Sequence, residues 1–97
     1  MPTYITLMSF TDQGARSVKE TTKRAEALKA TAHKMGVTVK EIYWTLGRYD
    51  LVSIVEASNE EMMTALGLSL CSLGNIRTET LRGFTAEEMN RIIAKMP

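Results

Sequence analysis

Two segments of this chain, Thr3–Phe10 and Leu51–Ala57, carry apolar side chains on both alternations: Ile5 and Leu7 against Tyr4, Met8 and Phe10, and Val52 and Ile54 against Leu51 and Val55. Their β-branched and aromatic content reads as strand. Successive side chains of a strand point to opposite faces, so a sheet face left in water is polar at every second residue. Neither segment shows that alternation, and both faces of the sheet need a cover. With 97 residues the chain has material for one domain, 1–97, and for one layer of helices over one face.

The rest of the chain supplies that layer. After Thr11-Asp12-Gln13-Gly14 breaks the first strand, Val18, Ala25, Leu28, Ala32 and Met35 recur at helical spacing up to Gly36. The start of this helix has two readings: a capping box in Ser17-Val18-Lys19-Glu20, or a second start at Thr21-Thr22. Val37–Leu46 and Leu51–Ala57 read as strands joined through Gly47-Arg48-Tyr49-Asp50 in a hairpin. If Arg48 and Tyr49 form the tip, Trp44 faces Ser53, Tyr43 faces Ile54 and Glu41 opposes Glu56. Ser58-Asn59-Glu60-Glu61 reads as a capping box opening a helix with Met62, Leu66, Leu70 and Leu73 inward, closed by Gly74. Ile76–Leu81 makes the fourth strand, and Thr85-Ala86-Glu87-Glu88 caps a last helix with a stripe of Met89, Ile92, Ile93 and Met96. The order β-α-β-β-α-β plus a terminal helix predicts an α+β, ferredoxin-like antiparallel sheet with both crossover helices on one face. A second copy of the chain is the expected cover for the other face, giving a homodimer or higher homo-oligomer.

The segments Thr11-Asp12-Gln13-Gly14, Gly47-Arg48-Tyr49-Asp50-Leu51-Val52 and Gly74-Asn75-Ile76-Arg77-Thr78-Glu79-Thr80-Leu81-Arg82-Gly83-Phe84 resemble, in this order and spacing, the GYD family of small bacterial and archaeal proteins. The family's Gly-x-Tyr-Asp turn is matched by Gly47, Tyr49 and Asp50. Ser58 and Asn59 depart from the pattern, where Pro and an acidic residue are common; both lie at a helix start. The resemblance implies an assembly of the dimeric α/β-barrel type, with sheets packed face to face around a cavity. It assigns no catalytic residue.

Lys and Arg number 12 against 11 Asp and Glu, a net charge of +1, so no long-range field draws nucleic acid or anionic lipid. RNA recognition on this topology needs aromatic residues on the inner strands, and Leu51–Ala57 has none. Nucleic acid and membrane are therefore not expected as partners. A single cysteine, Cys71, rules out an internal disulfide framework and fits the cytoplasm, as does the absence of a signal-peptide pattern near Met1.

The site candidates are few. Gly47 is expected to accept an unusual φ, Asp50 to bond backbone amides and Tyr49 to pack on a neighbour. His33, without a His or Cys three or four residues on, is not expected to hold a metal, and Cys71 reads as a buried, inert thiol. No cofactor motif is present. The remaining set, Tyr43, Glu41, Glu56, Arg77 and Glu79, places polar groups on strands that otherwise read as interior. It forms either a salt-bridge network between subunits or the polar floor of a cavity. Two functions follow: a homo-oligomeric binding or structural protein without chemistry, or a cofactor-independent small-molecule enzyme with Tyr43 as donor, Glu56 as base and Arg77 as anion stabiliser.

Overall fold

A computed structural model describes all 97 residues, Met1–Pro97. The elements are strand β1 (Thr3–Phe10), a short helix α1 (Asp12–Arg16), a 3₁₀ turn (Val18–Glu20), helix α2 (Thr21–Lys34), strands β2 (Thr38–Trp44) and β3 (Leu51–Glu56), helix α3 (Glu60–Ser72), strand β4 (Ile76–Gly83) and helix α4 (Ala86–Ile93). The strands form one antiparallel sheet in the order β2-β3-β1-β4. This is the expected ferredoxin-like βαββαβ arrangement with an extra C-terminal helix. No helix is long and apolar enough to cross a membrane.

The strand alternation sorts as the residue pattern demands. Tyr4, Thr6 and Met8 of β1 and Leu51, Ser53 and Val55 of β3 are buried under the helices; Ile5, Leu7, Val52 and Ile54 point the other way and are only half-buried. The core joins Tyr4 and Val55 to Ala32 of α2, Val37, Ala57, and Met63 and Leu66 of α3. Small Ala25 and Ala32 let α2 lie close on the sheet.

Local chemistry corrects several expectations. The first helical stretch is broken: Thr11 caps α1, its hydroxyl accepting from the Gly14 N–H at 3.1 Å, whereas Ser17 makes no side-chain cap bond and the Ser17–Glu20 box does not form. The break follows from a tight approach. A Cβ on Gly14 would lie 2.0 Å from the Asn75 carbonyl oxygen, so α1 is pinned against the start of β4 and the chain must turn again before α2. At α3 the cap is Asn59, whose Oδ1 accepts from the Met62 N–H at 2.9 Å, and not a box at Ser58. Met63, and not the expected Met62, is the fully buried methionine of α3, with Met62 half-buried; Leu73, past the helix end, is 66% exposed. Thr85 forms the predicted capping box with Glu88.

The isolated chain is spread out. Its accessible surface is 6610 Å², about 1,000 Å² above what a compact monomer of this mass exposes. Its radius of gyration is 14.6 Å, against about 12.5 Å for a compact chain of this length.

Candidate functional site

The open face of the sheet can be read row by row from the strand register. Tyr43, Val52, Leu7 and Glu79 form one row across β2, β3, β1 and β4; Glu41, Ile54, Ile5 and Leu81 form the next; Thr38, Glu56, Thr3 and Gly83 form a third. Arg77 pairs with Ser9 beyond the first row. All five polar candidates therefore share this face, around an apolar centre of Ile5, Leu7, Val52 and Ile54. Tyr43 and Leu81, on the two edge strands, are 57% and 45% exposed.

The hairpin register is not the expected one. Trp44 pairs with Leu51, Tyr43 with Val52 and Ile42 with Ser53, because the connection takes six residues and not a two-residue tip. A bulge between Val39 and Glu41 adds a further shift, so Thr38 faces Glu56 and Glu41 faces Ile54. Glu41 and Glu56 are thus not opposed. Glu56 instead has the Lys40 ammonium at 3.9 Å, a half-exposed pair worth little. The same bulge disrupts the exposed β2 edge against further strand pairing.

The Gly47–Asp50 segment is built for anchoring. Gly47 has φ +125, a backbone state that side-chain-bearing residues rarely take. Asp50 then does the work of a strand residue: its N–H donates to the Met8 carbonyl at 2.8 Å, its carbonyl accepts from the Thr45 N–H at 2.8 Å, and its carboxylate accepts from the Phe10 N–H at 2.8 Å. The side chain supplies the acceptor that β3 lacks opposite the end of β1.

Tyr49 does more than pack. Its phenol donates to Glu79 Oε2 on β4 at 2.8 Å, tying the hairpin across to the far edge of the sheet. That bond, followed by burial and by the carboxylate's charge, raises the Tyr49 pKa above the ordinary 10.0, while Arg48, 5.7 Å from the ring centroid, works the other way. This pairing, 30 residues apart in sequence, left no local signal. By contrast, Glu56 and Arg77 sit toward opposite ends of the sheet, two strands and six residues apart, or about 22 Å. Within one chain, Tyr43, Glu56 and Arg77 share no point of approach.

An apolar cleft of about 60 Å³ lies on the other side of the sheet. Met8, Phe10 and Leu51 floor it, and Leu28 of α2 and Leu70 of α3 wall it; none of the five polar candidates lines it. His33 is exposed in the last turn of α2. Cys71 is half-buried and not fully enclosed, with its Sγ 3.5 Å from Thr78 Oγ1. No three His, Cys, Asp or Glu side chains are grouped to hold a metal ion.

These features define a class: a small ferredoxin-like domain whose helices cover one sheet face and whose other face is apolar at its centre and polar at its rim. The chain belongs to the GYD domain family, matched over residues 4–93. It is similar to a Thermus thermophilus protein named glutamine synthetase and cystathionine beta-lyase binding protein, at 32% identity over 90 residues, 92% of this chain and 95% of that one. Among solved structures it resembles FFRP-DM1, with a TM-score of 0.59 and 26% identity over 87% of this chain and all of the other. It also resembles TTHA0845, likewise from Thermus thermophilus, with a TM-score of 0.58 and 28% identity over 89% and 96%.

Proposed function

We propose that this protein is a homo-oligomeric binding protein that pairs through its open sheet face and carries no chemistry of its own. The observation that supports this most is the composition of that face. Ile5, Leu7, Val52, Ile54, Leu81 and Tyr43 form a continuous apolar patch that no element of the chain covers, and patches of this kind mark interaction surfaces. The rim of Glu41, Lys40, Glu56, Arg77 and Glu79 would set the register between copies, since opposite charges must meet and like charges must not.

What the assembly binds is inferred from likeness. The Thermus relative is named for binding glutamine synthetase and cystathionine β-lyase, and we extend to this chain a role in binding an enzyme of that kind. A cytoplasmic setting accords with such partners and with a lone free cysteine. Sedimentation equilibrium from 1 to 100 µM is the first test: a dimer or larger species is expected, and a monomer throughout would overturn the reading. Biolayer interferometry against purified glutamine synthetase and cystathionine β-lyase of the same host tests the partner. Saturable binding to either is expected, and no binding to both at 100 µM would remove that part.

A further inference from the structure

Helix α4 is a finished helix with nothing to lie on. Its capping box is complete, with the Glu88 N–H donating to Thr85 Oγ1 at 3.1 Å and the Thr85 N–H donating to Glu88 Oε1 at 2.9 Å. Arg82 fastens its base, 3.7 Å from Glu88 and stacked 4.5 Å from the centroid of Phe84. Yet no α4 residue is buried. Phe84, Met89, Ile92, Ile93 and Met96 are 49%, 42%, 37%, 53% and 68% exposed; Met89, Ile92 and Ile93 share one face of the helix, and Met96 follows just past its end. An isolated helix of eight residues is not stable in water, so a sequence that caps one this carefully implies a surface for its apolar stripe.

Area identifies the surface. Four strands about 4.8 Å apart and some six residues long make a face of roughly 400 Å², half of the ~800 Å² per partner that a stable interface removes from water. Five large side chains about half exposed offer roughly 400 Å² more. The arm leaves from the end of the edge strand β4: Gly83 lies beside Ile5 on the open face, where a Cβ would come 3.4 Å from Ile5 Cδ1, Arg82 lies over Tyr4 on the covered face, and α4 starts three residues after Gly83. We infer that α4 is an exchanged arm, whose stripe of Met89, Ile92, Ile93 and Met96 packs on a second copy of this chain and completes the interface begun by the sheet. This inference rests on the face-to-face reading above and adds a second contact surface to it.

Sedimentation equilibrium of the full chain from 1 to 100 µM separates the two. The variant Ile92→Lys/Ile93→Lys removes the stripe with residues that suit the last turn of a helix, and Tyr43→Glu/Leu81→Glu charges the sheet face at its edges. Both substituted pairs are exposed, and circular dichroism checks that each variant folds. The expected result is at least a tenfold rise in the dissociation constant for each, with amide protection over residues 86–93 of the unsubstituted protein rising with concentration. If the arm variant stays within twofold while the face variant dissociates, the exchanged arm is wrong and the face reading survives. Tighter association of the arm variant would mean that α4 shields its own sheet, and would also overturn the inference. If neither variant changes association, or the unsubstituted protein is monomeric at 100 µM, both readings fall.

Discussion

Asp50→Ala isolates the structural role of the Gly-x-Tyr-Asp turn. The substitution keeps both backbone bonds of residue 50, to Met8 and Thr45, and removes only the carboxylate that accepts from the half-buried Phe10 N–H at 2.8 Å. A hydrogen bond to a charged group contributes about 1.5–3 kcal/mol, and water reaching the freed N–H at the sheet's end recovers part of it, so the expected loss is about 2 kcal/mol. Asn keeps an acceptor of the same shape without the charge; charge-assisted bonds are about twice as strong as neutral ones, so Asp50→Asn should lose about 1 kcal/mol. For a domain of this size the Ala variant should melt about 8–16 °C lower. Urea unfolding followed by circular dichroism, at one fixed protein concentration so that association contributes equally, gives the ranking. An Ala variant within about 0.5 kcal/mol of the unsubstituted protein, the range of an ordinary surface change, would refute the ladder role. An Asn variant as damaged as Ala would show that charge, and not the acceptor, is what residue 50 supplies.

Gly14→Ala should cost about 3 kcal/mol or more, or abolish folding, because its Cβ falls on the Asn75 backbone; Gly67→Ala, whose Cβ meets only Thr78 Oγ1 at 3.9 Å, should stabilise α3 by about 0.5–1 kcal/mol. Equal effects in thermal melts would contradict that placement. Thr6→Val removes a buried hydroxyl without a partner and should stabilise by about 1 kcal/mol, an expectation that a loss of stability in urea would sink. The raised Tyr49 pKa implies stability fully present below the ordinary 10.0 and lost as pH climbs through the raised value. Absorbance titration at alkaline pH should lose a late-ionising phase in Tyr49→Phe, and Glu79→Gln should move that same phase toward the ordinary range; a Tyr49 phase unchanged by Glu79→Gln would exclude the Tyr49–Glu79 bond.

What was legible in the chain follows from which signals are local. The grouping of β1 and β3 residues into two faces was legible because period-two alternation is a property of each strand alone, but which face the helices cover was not, since both are apolar; Thr85–Glu88 was legible because a capping box is closed within four residues. Register was not, since it depends on loop length and on the bulge beside Lys40, and neither leaves a residue-type mark in Thr38–Asp50. The supposed Glu41–Glu56 opposition failed for that reason. Of the two readings of the first helix, the second start at Thr21 is the one the structure takes, but the sequence could not choose it, because the close Gly14–Asn75 approach beside the break spans 61 residues. Leu73 was expected inward by periodicity, but the helix ends before it and its exposure is set by where the chain turns toward β4. That the five polar candidates share one face, and how far they spread across it, could be known only once the strand register and the order β2-β3-β1-β4 were in hand.

That spread bears on whether the open face performs chemistry. General acid–base catalysis needs its groups within hydrogen-bond reach of the same substrate, about 3 Å each. Glu56 and Arg77, toward opposite ends of one protomer's sheet, are about 22 Å apart, and no side-chain rotation closes that gap. The pair that one protomer does bring together, Tyr49 and Glu79, is satisfied by its own hydrogen bond and lies half open to water. A site that joined Glu56 and Arg77 would have to draw one from each of two copies, with the apolar rows between them supplying the dry walls. Any turnover by this protein would then vanish on dilution below the dissociation constant and in Tyr43→Glu/Leu81→Glu, which alters neither Glu56 nor Arg77. Activity that persisted in a monomer would have to arise elsewhere, and the apolar cleft between α2 and α3 has no carboxylate, histidine or cysteine in its lining to provide it. On the proposed face-to-face pairing, any chemistry on the open face depends on assembly.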